Sequence, residues 1–304
     1  MRRIWTLLVS PVKPSFLTKR TMAAVTVATS LDSRVTLNSG FEMPLFGLGV
    51  YKAASGDNGE AEKAVIHALQ YGYRLIDTAE FYSNEADVGR GVKKAGLKRE
   101  DVFVVSKIWD ANGYDYCRKL FNEAFKKMDI GYIDLYLIHS PMGSDNCGTY
   151  RAMLDLQKQG LIRSCGVSNY GIQHLEGLKT AGLPTPSVNQ IELHPWQHKS
   201  EVVKYCRENG IAVMGYSPLA KGQRFSEPIL TKLSERYGKT AAQVMIRWSV
   251  QKGYITIPKS AKPARIVENA QVFDWSISDA DMAVLDKLPQ KSCTWDPTTS
   301  PWRG

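Results

Sequence analysis

The 304-residue sequence predicts an α/β fold, a (β/α)8 TIM barrel with an N-terminal β-hairpin and extra C-terminal helices. Three observations carry that expectation. From about residue 34, short β-branched or apolar runs alternate with longer amphipathic stretches, the pattern of parallel strands joined by crossover helices. The polar residues hardest to explain as core filler, Asp77, Lys107, His139, Ser168, Asn169, Gln190, Tyr216 and Lys259, fall at the C-terminal ends of consecutive strands. In a closed barrel those ends converge on one pocket, whereas in an open doubly wound sheet only the strands beside a switch point share one. The fingerprint G-x-G-x-x-G of such an open sheet is also missing, since Gly47-Leu48-Gly49 lacks the third glycine and the following helix start.

The elements follow in order. Residues 35–44 read as a hairpin turning at Asn38-Ser39-Gly40, a device that can plug one end of a barrel. Strands are expected near 45–51, 73–79, 102–109, 133–140, 161–168, 186–193, 211–217 and 253–259. Helices are expected between them at 58–71, 84–95, 114–128, 149–159, 171–181, 199–209 and 226–250, the last broken at Tyr237-Gly238. Residues 263–271 and 278–287 read as closing helices. Runs such as Val102-Phe103-Val104-Val105 are almost wholly apolar, as burial on both faces of a sheet requires. No Pro-, Gly- or Ser-rich linker divides residues 32–304, which read as one domain.

The net charge of +9 is concentrated at the start, where residues 1–31 hold Arg2, Arg3, Lys13, Lys19 and Arg20 and no acid. Without them bases and acids nearly balance, so no groove for a nucleic acid is expected. Residues 1–31 read as a flexible leader or a targeting segment. A mitochondrial location follows if residues 1–21 act as a presequence, and a cytoplasmic one otherwise. The apolar run Ile4-Trp5-Thr6-Leu7-Leu8-Val9 is too short to span a bilayer, and no membrane association is expected. Five scattered cysteines without a C-x-x-C pair argue against a disulfide framework and for a reducing compartment. No H-x-x-x-H pair or carboxylate cluster at ligand spacing occurs, so no metal is expected. His194, before Pro195, reads as fixing a turn, and His67 and His174 as helix surface positions.

Taken singly, Asp77 reads as a helix cap, Lys107 as a solvated charge, His139 as a core histidine and Tyr82 as a packing aromatic. Together they read differently. A carboxylate and an ammonium inside an apolar mouth each face a desolvation cost of several kcal/mol unless paired, so Asp77 and Lys107 are expected in contact. An ammonium about 4 Å from a phenol, at an effective dielectric near 20, favours the phenolate by roughly 4 kcal/mol, or about three pKa units. Such a phenol is an acid for a developing alkoxide, and a histidine beside it orients a carbonyl oxygen.

These residues lie in blocks, in order: Gly72-Tyr73-Arg74-Leu75-Ile76-Asp77-Thr78-Ala79, Phe81-Tyr82-Ser83-Asn84-Glu85, Ser106-Lys107-Ile108-Trp109, Asp134-Leu135-Tyr136-Leu137-Ile138-His139, Gly166-Val167-Ser168-Asn169, Asn189-Gln190-Ile191-Glu192-Leu193-His194-Pro195 and Tyr216-Ser217-Pro218-Leu219. From Phe46 to Asn269 the chain resembles the aldo-keto reductase superfamily. The resemblance implies an NADP(H)-dependent oxidoreductase that reduces aldehydes or ketones to alcohols, with a catalytic tetrad of Asp77, Tyr82, Lys107 and His139 and Tyr82 as proton donor. It implies that Ser168, Asn169 and Gln190 hold the nicotinamide carboxamide, that Tyr216 stacks on the ring, and that Ser217 and Leu219 meet the pyrophosphate. Residues 257–269 resemble the segment that binds the adenosine phosphate, with Lys259, Ser260, Arg265, Glu268 and Asn269. The charge of Lys259 and Arg265 suits a 2′-phosphate, favouring NADPH (NADP+ as product) over NADH.

Substrate contacts are expected from Tyr51, Trp109, His139 and Ser140. Tyr51 and Ser140 stand where many relatives carry Trp, and with a short connection after the fourth strand and a brief tail, loose selectivity among small aldehydes is expected. The expected partner is a small carbonyl compound, and the chain is expected to act as a monomer. Two other readings remain: a Schiff-base aldolase using Lys107, and an NADPH-binding redox-sensing or partner subunit with little turnover.

Overall fold

Hairpin strands β1 (Arg34–Thr36) and β2 (Glu42–Pro44) pair antiparallel, with Val35 opposite Met43, in a computed structural model that describes residues 25–304. The turn between them is closed by Gly40 at a φ of 86°, which glycine adopts without strain. Its tip is pinned to the barrel: Ser187 Oγ donates to Asn38 Oδ1 at 2.6 Å, Asn38 Nδ2 donates to the Pro186 carbonyl at 3.1 Å, and the hydroxyls of Ser39 and Ser164 lie 2.7 Å apart. Met43 is fully buried. The hairpin therefore plugs the floor, the end at which the barrel strands begin.

Eight parallel strands make the wall: β3 (Leu48–Gly49), β4 (Leu75–Asp77), β5 (Phe103–Ile108), β6 (Ile133–Ile138), β7 (Ile162–Ser168), β8 (Val188–Glu192), β9 (Ala212–Tyr216) and β10 (Ile255–Thr256), bonded in sequence order. Isolated parallel bridges of Phe46 with Thr256 and of Gly49 with Lys259 join the last strand to the first, so the sheet closes on itself. Because closure runs through such bridges, β3 and β10 are much shorter than the stretches 45–51 and 253–259 expected for them.

Helices α1 (Glu60–Tyr71), α2 (Glu85–Lys94), α3 (Tyr114–Met128), α4 (Asn146–Lys158), α5 (Ile172–Thr180) and α6 (Ser200–Glu208) connect successive strands, and α7 (Pro228–Tyr237) and α8 (Ala241–Gln251) share the seventh connection. The expected break there is made by Gly238, at a φ of 60°, and by Thr240, whose hydroxyl accepts from Gln243 N to start α8. Helix α4 begins three residues earlier than expected because Asp145 caps it, accepting from Gly148 N at 2.7 Å. Helices α9 (Pro263–Ala270) and α10 (Asp279–Leu285) follow the last strand. Near the floor, the buried Asp134 carboxylate is matched by Arg99 Nη2 at 2.7 Å, Arg163 Nη1 at 3.0 Å and Val104 N at 2.9 Å.

Residues 1–24, which hold the whole presequence candidate and most of the expected leader, lie outside the described residues. Within 25–31, Ala28 is buried. No helix among the described residues is long and apolar enough to cross a membrane.

Helices α2 and α3 approach so closely that a Cβ on Gly89 would stand 1.9 Å from the Met128 carbonyl oxygen. That neighbour is backbone and cannot swing aside. Gly89→Ala is therefore expected to cost about 1–3 kcal/mol of unfolding free energy, read as a lower denaturant midpoint. An unchanged midpoint would mean that the two helices separate without penalty.

Candidate active site

The strands end at the rim opposite the hairpin. Asp77 is the last residue of β4, Lys107 the penultimate residue of β5, and His139 directly follows β6. Tyr82 closes a 3-10 turn, Glu80–Tyr82, that leaves β4 and is ended by Ser83 at a φ of 55°. Asn84 anchors this loop: its Oδ1 accepts from Thr78 Oγ1 at 2.7 Å and its Nδ2 donates to the Val50 carbonyl at 2.9 Å. The side chains converge. Lys107 is wholly buried, and its Nζ donates to Asp77 Oδ1 at 2.7 Å, to the Thr78 carbonyl at 2.7 Å and to Tyr82 Oη at 3.5 Å. Three ammonium protons thus meet three acceptors. Gln190 Nε2 donates to the other Asp77 oxygen at 2.7 Å. Tyr82 Oη accepts from Lys107, and its own proton meets no acceptor among the described residues.

Burial raises the Asp77 carboxyl above its ordinary range and lowers the Lys107 ammonium, while their mutual attraction opposes both shifts. The Tyr82 phenol is raised well above 10, first by burial and then by the charge of Asp77. This corrects the expectation of a phenol acidified towards neutrality. The ammonium that would acidify it is neutralised by a carboxylate 2.7 Å away, and the low-dielectric site penalises the phenolate. His139 is held well below its ordinary value by burial and then by Lys107, so the ring is neutral near pH 7. Its Nδ1 is buried without a hydrogen-bond partner among the described residues.

Beside this group lie the residues expected to hold a nicotinamide. Ser168 Oγ donates to the Gln190 carbonyl at 2.8 Å, Asn169 Nδ2 donates to the His139 carbonyl at 3.0 Å, and Tyr216 Oη donates to Asn169 Oδ1 at 2.9 Å. Gln190 Oε1 accepts from no donor among the described residues. The backbone is left-handed at Asn169, Ser217, Ala220 and Lys221, with φ between 45° and 62°. Non-glycine strain of this kind gathers where loops are shaped for a ligand. Leu219, between two of these positions, packs on the core. Lys259 and Arg265 are exposed around the start of α9, and neither forms an ion pair among the described residues. Ser260 Oγ accepts from Lys262 N at 3.1 Å; Glu268 accepts from Thr240 Oγ1 at 2.7 Å, and Asn269 is buried.

The mouth is aromatic. Tyr51 lies 4.9 Å from Tyr82 between ring centroids, Trp109 stands edge-on to His139 at 4.8 Å, and Phe81 stacks on Trp109 at 4.2 Å. Trp295 of the C-terminal tail comes within 5.9 Å of Trp109. The expectation of a mouth with little to close it is corrected here, because the tail returns over the rim. Phe81 and Trp295 were not among the expected contacts; Phe81 was legible as the neighbour of Tyr82, whereas nothing local in the sequence marks Trp295. Ser140 is buried, and its hydroxyl accepts from Met142 N at 3.4 Å. The exposed apolar group of that turn is Met142.

Glu192, at the end of β8, holds the tail. It accepts from His194 Nε2 at 2.8 Å, Ser292 Oγ at 2.9 Å, Cys293 N at 2.6 Å, and both Thr294 N at 3.2 Å and Thr294 Oγ1. Glu192, His194 and Cys293 bring potential ligand atoms within 4.8 Å of one another, a grouping that sequence spacing hides. The carboxylate oxygens are already engaged by these donors. His194 also fixes its turn, Nδ1 accepting from Trp196 N at 3.2 Å. His174 is not a surface residue: it is fully buried, its Nδ1 accepting from Gly171 N and its Nε2 lying 2.7 Å from the Ser300 carbonyl, another clasp on the tail. His67 is half-buried.

The model of the Aldo/keto reductase family matches residues 46–290. Glyoxal reductase from Bacillus subtilis (strain 168) is 44% identical over 261 residues, which cover 86% of this chain and 94% of that protein. Among solved structures, the aldo/keto reductase from Brucella melitensis is similar with a TM-score of 0.79 and 39% identity, over 86% of this chain and 99% of the other. A Bombyx mori aldo-keto reductase in complex with NADP has a TM-score of 0.81 and 32% identity, over 89% and 98%.

Burial alone would raise the Glu192 carboxyl, but the donors from His194, Thr294 and Cys293 outweigh it and hold it at about 2, against an ordinary 4.5. A depressed carboxyl stabilises the fold fully above pH 4.5 and ceases to do so as pH falls through about 2. The contribution is on the order of 3 kcal/mol. Glu192→Gln is therefore expected to unfold more easily than wild type at pH 7, with the gap narrowing as pH is lowered from 4.5 towards 2 in denaturant titrations. A gap of constant size across that range would contradict the assignment.

Proposed function

The chain belongs to the aldo/keto reductase family, and from that premise we propose that it reduces aldehydes and ketones to alcohols with NADPH, Tyr82 supplying the proton. Membership makes it an oxidoreductase. The observation that carries the finer reading is the Tyr82 hydroxyl: it accepts from Lys107, and its own proton has no acceptor among the described residues. A phenol so arranged is poised to donate outward, towards the aromatic mouth.

The donor set fits the cofactor. An amide group needs both donors and acceptors, and Ser168, Asn169 and Gln190 offer both, the side-chain oxygen Oε1 of Gln190 accepting from no described residue. Tyr216 supplies a flat face for the ring, and Ser217 and Leu219 lie in the strained loop that would meet the pyrophosphate. Lys259, Ser260 and Arg265 suit a 2′-phosphate, with Glu268 and Asn269 nearby for the adenosine. When bound, NADPH supplies the hydride.

The chain's own residues do the rest. His139 is neutral and its Nδ1 is sealed inside the protein, so the carbonyl oxygen is oriented by a hydrogen bond donated from Nε2, which is not buried and bonds to no other described residue. Tyr82 keeps its proton through the physiological range, because its pKa is raised. As that proton leaves for the substrate oxygen, the charge arising on Tyr82 Oη faces Lys107 Nζ at 3.5 Å. Asp77 keeps Lys107 charged and directed, and Gln190 holds Asp77. A lysine so paired stays protonated, which argues against Schiff-base chemistry. Trp109, Phe81 and Trp295 line the mouth with aromatic surface against which a substrate can pack. The name of the glyoxal reductase relative supports small aldehydes among the substrates.

Tyr82→Phe is expected to lower kcat by about 10²–10⁴-fold while NADPH binding, followed by quenching of protein fluorescence, stays near wild type. Unchanged turnover in that variant would refute the proton donor. Replacing Lys259 and Arg265 together by alanine removes charge-assisted bonds worth about 1.5–3 kcal/mol each. The KM for NADPH should rise at least tenfold while that for NADH changes little. Equal effects on both coenzymes would remove the 2′-phosphate from this site.

A further inference from the structure

Tyr216 has one phenolic proton and two candidate acceptors. Asn169 Oδ1 lies 2.9 Å from its oxygen and Thr294 Oγ1 lies 3.1 Å from it. Thr294 has its own proton engaged by the buried Glu192 carboxylate, the strongest acceptor within its reach. Its remaining lone pairs are therefore available to Tyr216. The backbone of Thr294 is also held by Glu192, through Thr294 N at 3.2 Å, and its neighbours Ser292 and Cys293 bond to the same carboxylate. A line of polar contacts thus runs from Glu192 through Thr294, Tyr216 and Asn169 to the carbonyl of His139, in which the single Tyr216 proton serves either Asn169 or Thr294.

We propose that Thr294 is a positioning residue for cofactor binding: it is the second acceptor for the Tyr216 hydroxyl, which lets Asn169 Oδ1 be released to a nicotinamide carboxamide without leaving that hydroxyl unbonded. The inference rests on the reading of Asn169 and Tyr216 as nicotinamide contacts. Without a ligand, the Tyr216 proton goes to Asn169, and the two side chains satisfy each other. Asn169 Oδ1 has two lone pairs, and a carboxamide N–H that approaches along the one Tyr216 occupies displaces that proton. In a partly buried site an unbonded hydroxyl costs about 1–3 kcal/mol. Rotating the phenolic proton to Thr294 Oγ1 removes the cost and leaves the ring in place. Glu192 makes the arrangement one-directional, since a threonine that donates to a carboxylate can only accept from the tyrosine. The C-terminal tail, otherwise remote from the tetrad in sequence, becomes part of the coenzyme site.

The test is a double-mutant cycle read by NADPH and NADP+ binding through fluorescence quenching, with kcat, KM and melting temperature alongside. Thr294→Val keeps the side-chain volume and removes the hydroxyl, Thr294→Ser keeps the hydroxyl, and Tyr216→Phe removes the partner. Thr294→Val should weaken binding of both coenzyme forms about fivefold or more, and Thr294→Ser should restore affinity to within about twofold of wild type. In a Tyr216→Phe background, adding Thr294→Val should cause no further loss, because the hydroxyl that needs an acceptor is gone. Coenzyme affinity in Thr294→Val equal to wild type would overturn the proposal. So would equal losses in the Ser and Val variants with lowered melting temperatures, which would reduce Thr294 to a packing role. Failure of the wild-type protein to bind NADPH would instead overturn the functional reading beneath it.

Discussion

A single buried ion pair organises the rim. Lys107 lies inside the strand ring with no exposure, and an ammonium there is tolerable only if every proton finds an acceptor. Asp77, the Thr78 carbonyl and Tyr82 Oη provide three, and Gln190 in turn holds the free oxygen of Asp77. These groups come from β4, the turn after it, β5 and β8. Only a closed ring brings residues so distant in sequence to one point, so the bridges between β3 and β10 that complete the ring are a condition of the site as much as of the fold.

Two of the other buried carboxylates, Asp134 and Glu192, are satisfied in different ways. Asp134, near the floor, is neutralised by two arginines, which ties β6 to its neighbours away from any chemistry. Glu192, at the rim, keeps its charge by collecting neutral donors from the tail. The second solution uses burial to fasten a segment. A carboxylate with no cation beside it needs those hydrogen bonds, so the tail stays over the mouth, and Trp295 with it. The division of labour agrees with the general asymmetry of such barrels, in which the floor serves stability and the rim serves function.

Much of this was legible in the sequence. The alternation of apolar runs and amphipathic stretches marks all eight strands, and the placement of Asp77, Lys107 and His139 at strand ends brings them to one rim, because strand direction is preserved in every βα unit. What was hidden depends on contacts between distant segments. The role of the tail could not be read from residues 289–304, since nothing local signals that Ser292 to Thr294 meet a carboxylate on β8. The burial of His174 was hidden for the same reason: its helical position looks exposed until the tail's Ser300 and Trp302 cover it. The start of α4 departs from expectation because Asp145, an ordinary acid by composition, is its cap.

The direction of the Tyr82 shift is the most instructive difference, for it concerns electrostatics rather than position. Counting only the nearest opposite charge makes the phenol a stronger acid. The charge that matters is the sum over the pair, and a carboxylate 2.7 Å from the ammonium leaves a nearly neutral neighbour. Burial then dominates, and the phenol rises. If Tyr82 is the proton donor, as proposed, it gains from this. Its protonated form is present at every physiological pH, and its anion is favoured only while negative charge is being formed in front of Lys107. On the proposed reading, the pair therefore acts on the transition state and not on the resting phenol, which is where differential stabilisation must fall if it is to raise a rate.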